Sequence, residues 1–155
     1  MVKIEYLADH ADAIPTLAQW HHDQWKAITP YLTVADRIAG FRARMRRQEV
    51  PTGFVAVLDE VVVGMACLVA HDMETRPDLT PWLATVLVAP DCRGRGIGSA
   101  LSERVVAEGH ALAYPKLYLV TFGRTSFYAR LGWHNLEHTQ FLGLPATIMS
   151  RGLGV

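Results

Sequence analysis

The sequence predicts a mixed α/β fold, with a central, mostly antiparallel sheet of about six or seven strands flanked by about four helices. Three observations carry this expectation. Apolar runs of strand length, bounded by turn residues, occur at Phe54 to Leu58, Val61 to Val69, Trp82 to Ala89 and Lys116 to Val120. Segments with apolar residues at helical spacing alternate with them. The short Asp59-Glu60 link implies a hairpin and an antiparallel pair, whereas the runs on either side of the helix near residue 100 need a crossover and should pair in parallel.

Composition sets the limits. A chain of 155 residues, half of them apolar, is expected to form a single globular domain over residues 1–155 with a sizeable core. Fifteen basic residues balance fifteen acidic ones, so the net charge points to neither nucleic acid nor a membrane surface as partner. The longest apolar run, Val61 to Ala70, is too short to span a bilayer, and Met1 to Glu5 lacks a signal-peptide pattern. Two cysteines, Cys67 and Cys92, do not make a disulfide framework, and a cytoplasmic location is expected.

The elements follow in order. Val2 to Leu7 alternates apolar and polar residues as a half-buried strand. Asp9 or Asp12 is expected to cap the next helix, where Ile14, Leu17, Ala18, His21 and Trp25 share a face. Pro30-Tyr31 breaks it. Thr33 opens a second helix with Val34, Ile38, Phe41 and Met45 on one side, while Arg37, Arg42, Arg44, Arg46 and Arg47 form a solvated basic face. The hairpin strands follow, with Gly64 marking a bulge. The polar segment from His71 to Thr80 returns the chain to the Trp82–Ala89 strand, and its acids lie near one end of that strand. A helix with a stripe at Ile97, Leu101, Val105 and Leu112 ends near Gly109. After the Lys116 strand, Thr125 or Ser126 caps a short helix that Gly132 closes. Trp133 to Thr139 and Ala146 to Ser150 are the last strands.

Chemistry concentrates at Val86-Leu87-Val88-Ala89-Pro90-Asp91-Cys92-Arg93-Gly94-Arg95-Gly96-Ile97-Gly98-Ser99. Strand, glycine-rich loop and helix start in succession make an anion cradle. The first N–H groups of a helix lack partners, its dipole is positive there, and glycines let the backbone approach a phosphate. The Gly-Lys-Ser/Thr of a nucleotide P-loop is absent, and the glycine spacing is not that of a dinucleotide fingerprint. His21-His22 and the pair His134 and His138 are too poorly placed to chelate, so no metal is expected. Cys92 reads as a packing residue.

The stretch resembles the Gcn5-related N-acetyltransferase (GNAT) family, whose signature Arg/Gln-x-x-Gly-x-Gly/Ala matches Arg93 to Gly98. A second block of that family matches Phe127-Tyr128-Ala129-Arg130-Leu131-Gly132-Trp133. The resemblance implies an N-acetyltransferase with acetyl-CoA as cosubstrate and a primary amine as acceptor. It implies that Arg93, Gly94, Arg95, Gly96, Ile97, Gly98 and Ser99 hold the pyrophosphate. The main chain of Val86, Leu87 and Val88 would hold the pantetheine arm, with the Val88 N–H on the thioester carbonyl. Tyr128 would protonate the departing thiolate, since a phenol has a pKa of about 10. Trp20, His21, Trp25, Tyr31 and Trp82 would line the acceptor site, suited to a cationic or aromatic amine. Neither the Trp82–Val88 nor the Leu117–Thr121 strand carries a carboxylate for a general base. Asp72, Glu74, Asp78, His21 or His71 acting through water remain, or no dedicated base exists. A noncatalytic acyl-CoA-binding module is the alternative. The acceptor (antibiotic amine, polyamine, amino acid or peptide N-terminus) and the choice between monomer and homodimer are left open.

Overall fold

The computed structural model describes residues 1–154. Seven strands form one sheet, β1 (Val2–Tyr6), β2 (Thr52–Leu58), β3 (Val61–Val69), β4 (Trp82–Val88), β5 (Lys116–Thr121), β6 (His134–Phe141) and β7 (Leu144–Gly152). They lie in the order β1-β2-β3-β4-β5-β7-β6. Every neighbouring pair is antiparallel except β4 and β5. The helices are α1 (Ile14–Trp25), α2 (Val34–Arg42), α3 (Ile97–Ala111) and α4 (Thr125–Arg130).

The strands are apolar on both faces at the centre of the sheet because both faces are covered. On one face α1 and α2 pack Leu17 and Phe41 against Met65, Trp82 and Leu87. On the other, α3 packs Leu101 and Val105 against Phe54, Leu68 and Leu83, and Trp133 closes the layer. No helix among the described residues is long and apolar enough to cross a membrane.

Local signals acted as expected where side chains were free to act. Thr33 and Asp36 form a reciprocal capping box at α2, with bonds of 3.0 and 2.9 Å. At α1 neither Asp9 nor Asp12 caps. Residues Leu7–Ala13 instead form a 3₁₀ segment that buries Leu7 completely, and the Asp9 carboxylate pairs with Arg47. Burial of a leucine outweighs a cap that contributes about 1 kcal/mol. Arg124, not Thr125 or Ser126, is the N-cap of α4, and Gly132 at φ 91° follows its end. The helix α3 begins at Ile97, the first residue of its apolar stripe, with Gly96 as N-cap. Gly64 sits beside a register shift, and a Cβ there would stand 2.6 Å from the Leu87 carbonyl oxygen.

The basic face of α2 is not wholly solvated. Arg37 is 4% exposed, folded back into the α1–α2 junction, and Arg44 is half-buried.

Candidate active site

The strands β4 and β5 pair at one position only, Trp82 with Tyr118, and then part. The cause is a bulge in β4. Leu87 pairs with Met65 and Ala84 with Cys67, so Thr85 and Val86 stand opposite Ala66 alone. Thr85 has φ 58°, a costly conformation for a β-branched residue. The extra residue also reverses the alternation of side chains. Trp82, Ala84 and Leu87 all pack on the α1–α2 face, which turns Val86 and Val88 towards α3.

Past the bulge, the free edge of β4 faces the opening. Ala89 N–H donates to Val63 of β3 at 2.8 Å, so the N–H of the preceding Val88 points the other way, into the gap. Its carbonyl accepts from Arg93 Nε at 3.3 Å rather than from β3.

The glycine loop lies at the end of this edge. Gly94 and Gly96 adopt φ 76° and 78°. No side chain caps α3, so its first N–H groups stay open at the positive end of a 15-residue helix. Arg93 and Arg95 are exposed beside them. Around Gly98 three elements converge: a Cβ there would meet Phe127 at 3.6 Å, Val88 at 3.8 Å and Val86 at 4.0 Å. The Ile97 and Leu87 side chains are buried in the core, so those two residues can offer a ligand main chain only.

Tyr128 stands on the same side. Its ring meets Phe127 edge-on at 4.9 Å and Trp133 at 6.3 Å. Burial raises its pKa, and the charge of Arg124 opposes the rise. Among the described residues nothing accepts a bond from its hydroxyl, which is not sealed from solvent.

On the α1–α2 face an arc of rings bridges the opening. His21 lies 5.6 Å from Phe41 and 6.2 Å from Trp25. Trp25 lies 5.8 Å from Phe122, which stacks on Phe141 at 6.0 Å. Of the five residues expected around the acceptor, the structure brings only His21 and Trp25 into this arc. Trp82 is fully buried and spends its indole N–H on the Leu79 carbonyl at 2.7 Å, so it is core and not pocket lining. Tyr31 is 66% exposed in the turn before α2, away from the arc. Trp20 lines a separate recess of about 280 Å³ with Asp23, Gln24, Pro90 and Arg93.

His21 is held neutral. Arg37 Nη1 lies 2.9 Å from His21 Nδ1. A guanidinium only donates, so Nδ1 accepts and the ring proton sits on Nε2. Burial, then the charges of Arg37 and Arg44, push its pKa down to about 4. With both nitrogens committed, His21 has no lone pair for a substrate proton. Below pH 6.5 the unfolded chain takes up a proton that folded His21 refuses until about pH 4. Stability is therefore expected to fall as pH drops through that window, by on the order of 2–3 kcal/mol. Denaturant midpoints measured between those pH values should show the slope, and His21→Gln should flatten it.

Two polar residues complete this side. Arg44 Nη1 donates to Thr85 Oγ1 at 2.9 Å and its guanidinium lies 5.7 Å from the Phe41 ring centre. Asp72 keeps an exposed edge while protein hems it in on most sides. Burial raises its pKa, and Arg44 opposes the rise. Thr85, Arg44, Phe122, Phe127 and Phe141 were not singled out from the sequence. Phe127 had a signal, being part of the Phe-Tyr block, and the others had none.

Similar folds are known. An N-acetyltransferase from Staphylococcus aureus Mu50 matches at a TM-score of 0.77 and 19% identity, over 99% of each chain. A GNAT family acetyltransferase from Elizabethkingia anophelis, with acetyl-CoA bound, matches at 0.56 and 17% identity, over 75% of this chain and 81% of that one. N-acetylglutamate synthase from Neisseria gonorrhoeae, complexed with coenzyme A and N-acetyl-glutamate, matches at 0.69 and 14% identity, over 99% of this chain and 35% of that one. The model of the acetyltransferase (GNAT) family matches residues 14–133, and the chain, with its split sheet and glycine loop at the head of α3, belongs to that family.

Proposed function

We propose that this chain is an N-acetyltransferase that moves an acetyl group from acetyl-CoA directly to a primary amine of a small molecule or peptide. The observation that carries the proposal is the convergence, at Gly98, of the uncapped head of α3, the free edge of β4 and the α4 residues Phe127 and Tyr128. The bound-cofactor state of the Elizabethkingia anophelis relative supports the choice of donor.

Acetyl-CoA, when bound, supplies a thioester whose carbonyl carbon accepts the amine. The cradle from Arg93 to Ser99 suits its pyrophosphate: main-chain N–H groups and two exposed guanidiniums face outward, and no side chain fills the space around Gly94 or Gly96. Val86 and Val88 offer an extended edge for an amide-bearing arm. The Val88 N–H stabilises developing negative charge on a carbonyl oxygen. Tyr128 keeps its proton at neutral pH and delivers it from Oη to a departing sulfur.

Asp72 is the base that the surroundings favour. Asp78 is exposed and engaged by Arg76 at 3.1 Å, which holds its pKa down, and His21 has no free lone pair. Asp72, solvent-accessible but crowded by protein that raises its pKa, lies near Arg44 and, reaching the amine through water, is suited to take the ammonium proton. Turnover should then fall at low pH as Asp72 becomes protonated, above the usual carboxylate range. Asp72→Asn should remove that acid limb and lower kcat roughly 10- to 100-fold, at the low end for a base. An unchanged pH profile in the variant would assign the proton to bulk water.

The proposal is tested by thiol release from acetyl-CoA over a panel of amines. Release that depends on the amine supports it. Tight acetyl-CoA binding with no release for any amine would instead identify a noncatalytic acyl-CoA-binding module.

A further inference from the structure

The α1–α2 side of the opening carries a guanidinium, that of Arg44, which no carboxylate among the described residues grips directly. Arg46, Arg47, Arg76, Arg104 and Arg151 each pair with a carboxylate. Arg44 is in none of the ion pairs among the described residues. It donates from Nη1 to Thr85 Oγ1 at 2.9 Å and reaches the buried Cys67 thiol, both neutral groups, which leaves donors of its five N–H groups to spare. Arg37, buried behind it, binds only neutral groups: His21 Nδ1 at 2.9 Å, His22 Nδ1 at 3.4 Å, Thr29 Oγ1 at 3.0 Å, and the Thr29 and Leu32 carbonyls at 3.4 Å. The other groups felt at this spot are neutral His21, the buried Cys67 thiol and two carboxylates, Asp72 beside Arg44 and Asp36 beside Arg37. Asp36 answers the charge of Arg37 and Asp72 that of Arg44, but neither carboxylate forms an ion pair or hydrogen bond with Arg44 among the described residues. A half-buried guanidinium with free donors is costly without an anion.

We propose that Arg44, anchored on Thr85, binds a carboxylate carried by the acceptor, which makes the acceptor an amino acid or a close analogue rather than a polyamine. The inference rests on the transferase reading above. Thr85 precedes Val88 by three residues in β4, a span of roughly 10 Å. The carboxylate on Arg44 and the carbonyl at the Val88 N–H therefore lie a short molecule apart, and the acceptor amine must sit within a few bonds of its acid group. The planar fork of arginine suits a carboxylate in a way that a lysine would not. The aromatic arc from Phe41 to Phe141 walls the same space and gives the rest of the acceptor an apolar surface.

The test measures product binding, so it does not depend on turnover. Calorimetry on the whole protein with saturating CoA uses N-acetylglycine, N-acetylleucine and N-acetylphenylalanine against their primary amides. At least one acid should bind roughly 10- to 100-fold more tightly than its amide. Arg44→Gln should reduce that ratio to below about threefold, and Arg44→Lys should keep part of it. CoA binding and circular dichroism check that the variants are folded. Should Arg44→Gln not fold, Thr85→Val, which keeps the side-chain shape but frees the guanidinium, should lower the acid preference. Equal affinity for acids and amides in the unaltered protein, no binding of any acid, or an unchanged ratio in folded Arg44→Gln overturns the proposal. Absence of amine-dependent thiol release would overturn the transferase reading instead, and the two failures are read in separate experiments.

Discussion

Tyr128→Phe is expected to lower turnover by about 10²- to 10⁴-fold while leaving acetyl-CoA affinity nearly unchanged. The substitution removes one hydroxyl and keeps the ring, so the edge-on contacts with Phe127 and Trp133 survive. Among the described residues no group accepts from that hydroxyl, so its loss strands no partner there and should leave stability almost unaltered. Burial raises the phenol pKa, which keeps the proton in place at neutral pH. The measurement is kcat by thiol release beside a direct binding constant for acetyl-CoA. Wild-type turnover in the variant would reduce Tyr128 to a wall of the site.

Gly96→Val should abolish measurable acetyl-CoA binding at concentrations that saturate the unaltered protein. The reason is conformational. A Cβ at Gly96 meets nothing within 4 Å, so the substitution does not clash with the folded chain. Its φ of 78° is the obstacle, since a β-branched residue there costs about 1–2 kcal/mol or more. A domain stable by about 5–15 kcal/mol survives that cost. The loop relieves it by turning, and the first N–H groups of α3 then no longer point where a pyrophosphate sits. Losing two charge-assisted bonds of about 1.5–3 kcal/mol each weakens binding by more than about 100-fold. Calorimetry on protein shown to be folded by circular dichroism is the check. Normal binding by folded Gly96→Val would mean that the loop is an ordinary turn, and the transferase proposal would lose its main support.

Where each feature was legible follows from the range of the forces that set it. Strand and helix identity, the Asp59-Glu60 hairpin, the parallel crossover and the glycine cradle arise from residues close in sequence. Hydrophobic period, turn chemistry and helix-end geometry act over a few residues, so the chain read alone places them. Even there, long-range burial could intervene, as where sealing Leu7 in the core displaced an Asp cap. The acceptor side was set by contacts distant in sequence. Trp82 and Trp25 look alike as aromatic residues beside polar ones, yet only packing decides that Trp82 is core and Trp25 faces the arc. Arg37 and Arg44 sit in a run that reads as solvated, and only the meeting of α1, α2 and β4 turns them inward. Thr85 carries no local signal at all, because a β-branched residue does not choose φ 58° by itself. The pairing of β4 with β3 on either side of the bulge and the grip of Arg44 impose it. That imposed bulge swings β4 away from β5 and opens the site, a consequence of cooperative packing that no window of neighbouring residues encodes.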